Sequence, residues 1–411
     1  MHKLAPSATA TQASQQTAAP QPNRQAGLDI IRITATIAVV LLHSGGTNAM
    51  PFSQAAIALR GYATFPVPVF LALSLYLSAK TIARKGSLRL GRKLSRLLVP
   101  YGFFTVFYLL FYAIQGSGLS PMAYLKRLGE LIGNDPAGVI FLGQAATPLY
   151  FLPLLAIGTV GMQWINRLLT RLLKDQRIKD QKSHREWMGK WMAIATLLSA
   201  IAYQLLTVSG NAFVLGNRNL AFQTWASDSL LEQPLVRVGL VYIAWLCWCL
   251  PYIFGAFYLA SRPLPTGSLS TERSNSDPIA QRHQLGSTLL IAGTVLAIAL
   301  QPTLAPIDTL RDVLLALLMV ACGIQLSHSV NRHQNRIIAI SRYAFGIYLI
   351  HPVLLFVAGK LLPNILFQNR TEITAIQVLT FLIFGFVSSL TVTAALDKII
   401  SKPILRKCLG L

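Results

Sequence analysis

Long apolar runs, separated by polar or basic connections, dominate the pattern of this sequence. Ten such runs of about 20 residues occur, the length at which an α-helix crosses a bilayer. They cover residues 28–47, 57–79, 97–115, 147–165, 191–208, 235–260, 286–303, 311–330, 338–360 and 373–397. The pattern therefore predicts an all-α fold, a polytopic membrane helix bundle with about ten transmembrane helices.

The composition agrees with this fold class. Of the 411 residues, 53% are hydrophobic and 12% are charged, whereas about a quarter of a soluble domain is charged. Residues 1–27 are rich in alanine, glutamine, threonine and proline, which predicts a disordered tail. We expect one membrane domain over residues 28–400 and a short basic tail over residues 401–411.

The basic residues indicate how the bundle is oriented. With ten spans and a cytoplasmic N-terminus, 27 of the 36 lysines and arginines fall in cytoplasmic segments, as is usual for membrane proteins. Both termini are therefore predicted to be cytoplasmic. The formal net charge of +22 indicates contact with anionic lipids, and nucleic acid is not expected as a partner because the basic clusters adjoin apolar spans. The four cysteines lack zinc-site spacing, so no metal is predicted.

The first span carries an arginine and a histidine, in the stretch "RITATIAVVLLH" from Arg32 to His43. Eleven residues are about three helical turns, so the two side chains lie on nearly the same face, about 16 Å apart along the axis. Asp29, three residues before Arg32, can form an ion pair with it. Snorkelling and helix packing are the alternatives, but ionisable groups within a membrane favour a functional role.

A second histidine lies in the stretch "ISRYAFGIYLIHPVLLF", residues 340–356. His351 is predicted to have nearly the same depth as His43, which indicates a polar cavity between the two helices. An alternative is that Pro352 kinks the helix and that His351 bonds to the carbonyl groups that the kink frees. The sequence leaves both interpretations open.

Five segments together resemble a known family. They are "LDIIRITATIAVVLLH" (28–43), "VPVFLALSLYLSAK" (67–80), "RLGRKLSRLLVPY" (89–101), "TPLYFLPLL" (147–155) and "FGIYLIHP" (345–352). In this order they are similar to the motifs of the type-3 membrane acyltransferases, O-acyltransferases that modify surface polysaccharides and glycoconjugates. The chain resembles the stand-alone branch, in which the membrane bundle performs the whole transfer.

The resemblance implies acyl-CoA as the donor substrate, with acetyl as the expected acyl group and succinyl as an alternative. No permanently bound cofactor is implied. Arg32 and the cluster at the start of the third predicted span would bind the donor's phosphates, since guanidinium groups match phosphate oxygens. That cluster consists of Arg89, Arg92, Lys93 and Arg96. Anchoring of the bundle at the cytoplasmic surface is the alternative role for these residues.

The resemblance also implies that His43 is catalytic. An imidazole, with a pKa near 6.5, can take the proton of an acceptor hydroxyl and return one to the leaving thiolate. A covalent acyl-imidazole is the alternative route. His351, with Tyr348 three residues before it, would position the acceptor or donate a hydrogen bond to the oxyanion.

The acceptor would be an extracytoplasmic carbohydrate or glycolipid, at the bacterial inner membrane. Four aromatic and acidic residues of the outer segment 209–234 can contact a sugar, or can anchor the chain at the membrane surface: Phe222, Trp225, Asp228 and Glu232. A secondary transporter or lipid flippase, with the histidines as a proton relay, and a non-catalytic scaffold are the competing functions. The sequence contains no pair of broken helices in two related halves, which favours the enzyme.

Overall fold

The computed structural model describes residues 25–45, 50–117, 120–173, 181–208, 234–262, 278–301, 303, 307–330, 334–361 and 372–411. These residues are almost entirely helical, and no β-strand occurs among them. The α-helices are α1 Ala26–His43, α2 Gln54–Gly61, α3 Pro66–Lys85, α4 Leu90–Ser117, α5 Pro121–Gly133, α6 Phe151–Leu173, α7 Gln181–Val208, α8 Pro234–Ser261, α9 Pro278–Ala299, α10 Asp308–Ser329, α11 Gln334–Arg342, α12 Ala344–Leu361, α13 Ala375–Ile399 and α14 Pro403–Cys408. The predicted all-α membrane bundle is confirmed.

Within the described ranges, nine helical segments are long and apolar enough to cross a membrane. They contain α1, α2 with α3, α4, α6, α7, α8, α10, α12 and α13. The tenth predicted span, residues 286–303, overlaps α9, in which the apolar stretch Leu290–Ala299 is shorter than a full span. This helix packs along α10. The count agrees with the prediction of about ten.

Helix α1 packs against α3, α10, α11, α12 and α13. Small residues allow its close approach to α10: a side chain at Gly27 would overlap the backbone of Gly323, and the Gly27 N–H donates to the Ser327 hydroxyl at 3.1 Å. Small residues at a crossing are the usual way in which membrane helices pack closely. The polar face of α1 is thereby held inside the bundle.

Three contacts bring the start of α1, the end of α13 and the start of α4 to one end of the bundle. Asp29 accepts a hydrogen bond from Ser341, Tyr343 donates to Asp397 at 3.2 Å, and Lys407 donates to Ser95. We call this end the basic end, because the Lys- and Arg-rich start of α4 lies there.

The opposite end of the bundle carries the start of α13. Phe52 and Ile373 form an isolated parallel bridge there. The Arg60 guanidinium donates two hydrogen bonds, of 3.1 and 2.7 Å, to the Leu42 carbonyl. A cation at this place stabilises the free carbonyls at the end of α1.

Between α5 and α6 the chain departs from the α-helix and enters the bundle. It forms a π-helical turn at Gly138–Leu142 and a 3₁₀ turn at Thr147–Tyr150. Side chains satisfy its backbone: the Tyr101 hydroxyl donates to the Ile140 carbonyl at 2.8 Å, and Asp135 accepts from the Gly138 N–H at 2.9 Å. Irregular backbone at membrane depth requires such partners.

Candidate active site

The rings of His43 and His351 lie together inside the bundle. Their centroids are 5.2 Å apart and their planes are inclined by 48°. His351 is fully buried, whereas His43, at the last position of α1, is partly exposed. The two histidines that were predicted to lie at one depth are therefore neighbours.

Pro352 determines how the His351 ring is held. A proline has no N–H, so the carbonyl of Tyr348, four residues earlier, loses its helical donor. The Nδ1 atom of His351 lies 2.8 Å from that carbonyl oxygen and 3.3 Å from the carbonyl oxygen of Ile347. Since carbonyl oxygens only accept, Nδ1 carries the proton. This is the structural role that the sequence left open as an alternative.

The same tautomer leaves Nε2 of His351 with a free lone pair when the ring is neutral. This atom is buried and has no hydrogen-bond partner within the described part of the chain. A neutral His351 can thus accept a hydrogen bond or a proton at Nε2. The donor role towards an oxyanion, suggested from the sequence, requires the protonated ring.

The side chain of Tyr348 is buried and forms part of the wall of the site. Its hydroxyl donates to the Pro148 carbonyl at 2.6 Å, which ties α12 to the 3₁₀ turn. Its ring meets Phe70 of α3 and Phe151 of α6, each with centroids 5.8 Å away. Tyr108 donates to the Leu349 carbonyl at 2.7 Å and fastens the kinked turn from the other side.

The predicted ion pair between Asp29 and Arg32 is present at the basic end. Nη1 of Arg32 lies 2.6 Å from Oδ1 of Asp29 and 2.9 Å from the Ser341 hydroxyl, which itself donates to Oδ1 at 2.6 Å. The Asp29 side chain is 3% exposed and that of Arg32 is 27% exposed. The three groups join α1 to α11.

The predicted basic cluster lines one cavity of about 510 Å³ between α3, α4 and α6. Its cations are Lys85, Arg89, Arg92, Lys93 and Arg96, and no aspartate or glutamate lines it. Lys93 reaches inward and donates to the Ser78 hydroxyl and to the Ser74 carbonyl. Serine, threonine and leucine side chains form the remaining wall: Ser74, Leu77, Ser78, Thr81, Ser87, Leu88, Leu97 and Leu155. We call this space the α3 cavity.

The α3 cavity and the histidine pair are close neighbours along two helices. Ser74 and Leu155 line the cavity. Four residues before each, about 6 Å along the helix axis, stand Phe70 and Phe151, which contact the Tyr348 ring. Tyr348 in turn meets His351, with ring centroids 6.1 Å apart. An aromatic layer one turn deep thus separates the cavity from the histidines.

The structure does not bring every predicted site residue together. Arg32 is not among the residues that line the α3 cavity; it lies with Asp29 and Ser341. The possible sugar-contacting residues of the outer segment, Phe222 to Glu232, lie outside the described residues.

Several residues of the site could not be found from local sequence signals. Ser341, Tyr108 and the Pro148 carbonyl act through contacts between distant parts of the chain. Arg60 has a weak signal, since it is one of the few basic residues that the predicted topology places outside the cytoplasm. In the structure it holds the residue beside His43.

Comparison with known proteins gives one match. The model of a family described as an acyltransferase domain matches residues 25–398, which includes both histidines and the α3 cavity. No curated protein and no solved structure matches the chain.

Proposed function

Because this chain belongs to the type-3 acyltransferase family, and is therefore a membrane acyltransferase, we propose that its donor is acyl-CoA in the cytoplasm. The acyl group, acetyl in the simplest case, goes to a hydroxyl of an extracytoplasmic carbohydrate or glycoconjugate at the bacterial inner membrane. One observation carries the proposal: a cavity lined by five cations lies one aromatic layer from a pair of neighbouring histidines.

The α3 cavity suits the donor's two halves. Coenzyme A carries several phosphate groups, and five cations without an opposing carboxylate favour them strongly. Its pantetheine arm carries amides on a flexible, partly apolar chain. Ser78 and Thr81, together with Leu77 and Leu155, also line the cavity, and this mixture of hydroxyl and apolar groups suits such an arm. In this proposal the thioester end of the arm passes the layer of Phe70 and Phe151 to reach the histidines.

His43 acts as the general base in this proposal. It takes the proton of the acceptor hydroxyl as the hydroxyl oxygen bonds to the thioester carbon. The bond between that carbon and sulfur breaks, and the thiolate receives the proton from the His43 imidazolium. Free coenzyme A and an acylated acceptor result, and no oxidant or reductant is consumed.

His351 orients the acceptor. Its Nε2 lone pair can accept a hydrogen bond from the hydroxyl, or from the His43 ring, while Nδ1 stays bonded to the Tyr348 carbonyl. A covalent acyl-imidazole on His43, followed by transfer to the acceptor, uses the same residues. Either route needs both rings, and a separation of 5.2 Å between their centroids suits both.

The test separates donor binding from transfer. We expect Arg89→Ala/Arg92→Ala/Arg96→Ala to weaken acetyl-CoA binding to the purified protein at least about tenfold, since each charge-assisted hydrogen bond contributes about 1.5–3 kcal/mol. His43→Ala should bind acetyl-CoA normally but reduce acylation of surface glycans by about 10²–10⁴-fold. Mass spectrometry of glycans from cells that express each variant measures the second effect.

A matched control removes three cations from the same end of the bundle. Arg336, Lys398 and Lys402 are exposed and do not line the α3 cavity, so their replacement by alanine should leave acetyl-CoA binding unchanged. Equal affinity in both triple variants would contradict donor binding in the α3 cavity. Normal glycan acylation by the His43→Ala protein would contradict its role as the base.

A further inference from the structure

A second cavity lies beside the first turns of α4, against helix α14. It also has a volume of about 510 Å³. Its cations are Arg92, Arg96, Arg406 and Lys407, and no aspartate or glutamate side chain lines it. Phe345, Pro403, Gly410 and Leu411 complete its wall. We call it the α14 cavity.

The carboxylate that pairs with Arg406 is shared with a second guanidinium group. Asp397 of α13 is 5% exposed at its side chain and forms ion pairs with both Arg406 and Arg342, and it also accepts a hydrogen bond from Tyr343. Lys407 contacts a neutral hydroxyl, that of Ser95. Because Asp397 can neutralise at most one of the four cations that line the α14 cavity, the lining keeps a positive excess that an anion can balance.

Two of the four cations also line the α3 cavity. Arg92 and Arg96 are four residues apart on α4, so they lie on the same face of that helix, and both cavities share them. An anion in the α14 cavity is therefore adjacent to whatever fills the α3 cavity. Guanidinium groups bind phosphate through paired hydrogen bonds, and lysine adds a point charge.

We propose that the α14 cavity is a phosphate-binding site that Arg406 and Lys407 complete. Two sources can supply the phosphate: the nucleotide end of the acyl-CoA that fills the α3 cavity, or the headgroup of an anionic phospholipid. The first source rests on the proposed function, whereas the second does not. In either case α14 has a binding role beyond anchoring the end of the chain.

The test uses Lys407→Gln in the full-length protein, in nanodiscs of phosphatidylcholine. This change takes no partner from a buried carboxylate, because within the described residues Lys407 donates to the neutral hydroxyl of Ser95. If the donor supplies the phosphate, binding of acetyl-CoA weakens about tenfold, while binding of acetyl-dephospho-CoA, which lacks the 3′-phosphate, is unchanged. Lys407→Arg should restore the affinity.

A second arm replaces phosphatidylcholine by phosphatidylglycerol. If a lipid headgroup fills the cavity, native mass spectrometry should find fewer retained phosphatidylglycerol molecules on Lys407→Gln than on the wild type, and both thioesters should bind the two proteins equally. Lys402→Gln is the control, since Lys402 is exposed in the same tail and does not line the cavity.

The outcomes separate this site from the proposed donor. If Lys407→Gln matches Lys402→Gln in thioester binding and in lipid retention, the phosphate site is refuted. If the wild type binds neither thioester, the acyl-CoA donor is refuted, and lipid retention alone then decides whether the α14 cavity binds phosphate.

Discussion

The two nitrogens of His351 meet different surroundings. Nδ1 donates to the Tyr348 carbonyl at 2.8 Å, and Nε2 is buried without a partner among the described residues. An asparagine at this position keeps a donor where Nδ1 stands but has nothing at the position of Nε2. A leucine keeps neither. The two substitutions therefore separate the structural role of this ring from its chemical role.

We expect His351→Asn to fold with nearly wild-type stability and to lose most of its acyl transfer. His351→Leu should also lose about 1–3 kcal/mol of stability, because the Tyr348 carbonyl is left buried and unsatisfied. Thermal melts in detergent and glycan acylation in cells measure the two effects. Wild-type acylation by His351→Asn would show that the histidine has only a structural role in α12.

The ion pair of α1 allows a second prediction. Arg32→Ala removes the guanidinium that pairs with the almost fully buried Asp29 carboxylate, which should destabilise the protein by about 3–5 kcal/mol. Adding Asp29→Asn removes that charge and should recover most of the stability. Melting temperatures of the two single variants and the double variant give the coupling energy. Additive losses would mean that the pair contributes little.

Many of the individual residues of the site could be predicted from the sequence. Spacing along a helix is enough to predict the pair of Asp29 with Arg32. The four cations Arg89, Arg92, Lys93 and Arg96 cluster because they lie close together in the sequence, at or just before the start of α4. Ser341 could not be predicted, because its contact with Asp29 joins residues 312 positions apart. Only the folded bundle decides such a pairing.

Helix α12 shows how a kink can hold a side chain. Because Pro352 has no N–H, the Tyr348 carbonyl accepts from Nδ1 of His351 instead. The orientation of the His351 ring therefore depends on the proline. The sequence predicted a single span over residues 338–360, whereas the structure divides it at Tyr343 into α11 and α12. The contacts of Ser341 with Asp29 and of Tyr343 with Asp397 hold the two sides of this break. Both contacts join residues that are far apart in the sequence, so no local pattern predicts them.

Pro352→Ala tests this dependence. The alanine N–H can bond to the Tyr348 carbonyl and displace Nδ1 of His351, so the protein should be as stable as the wild type or more stable. Its transfer rate should fall about a hundredfold, as expected when a reacting group is misplaced by about 1 Å. Reduced stability with normal turnover would contradict this account.

At the scale of the whole molecule, the described ends of the chain meet at the basic end of the bundle. Asp29 near the start of α1 and Asp397 near the end of α13 are joined through α11 and its link to α12. Helix α14 packs against α4. The two described ends of the chain therefore lie at one end of the bundle. That this end faces the cytoplasm stays a prediction from the charge bias of the sequence.

Reporters test this orientation directly. Alkaline phosphatase fused after Leu411 or before Met1 should be inactive, since it folds only outside the cytoplasm, while green fluorescent protein at the same places should fluoresce. A fusion in the segment 209–233 should give the reverse pattern. Phosphatase activity of the fusion after Leu411 would mean that the α3 and α14 cavities face the outside of the cell. This result would exclude a cytoplasmic acyl-CoA donor.

The dependence of the His351 contact on Pro352 also limits how these two positions can change in evolution. If the proline changes first, the new N–H and the imidazole compete for the Tyr348 carbonyl; if the histidine changes first, that carbonyl has no donor. A change at either position therefore disturbs the contact that orients the His351 ring. In descendants of this gene we therefore expect the histidine and the proline to be retained together, and active clones from a gene library randomised at both positions should mostly carry both residues.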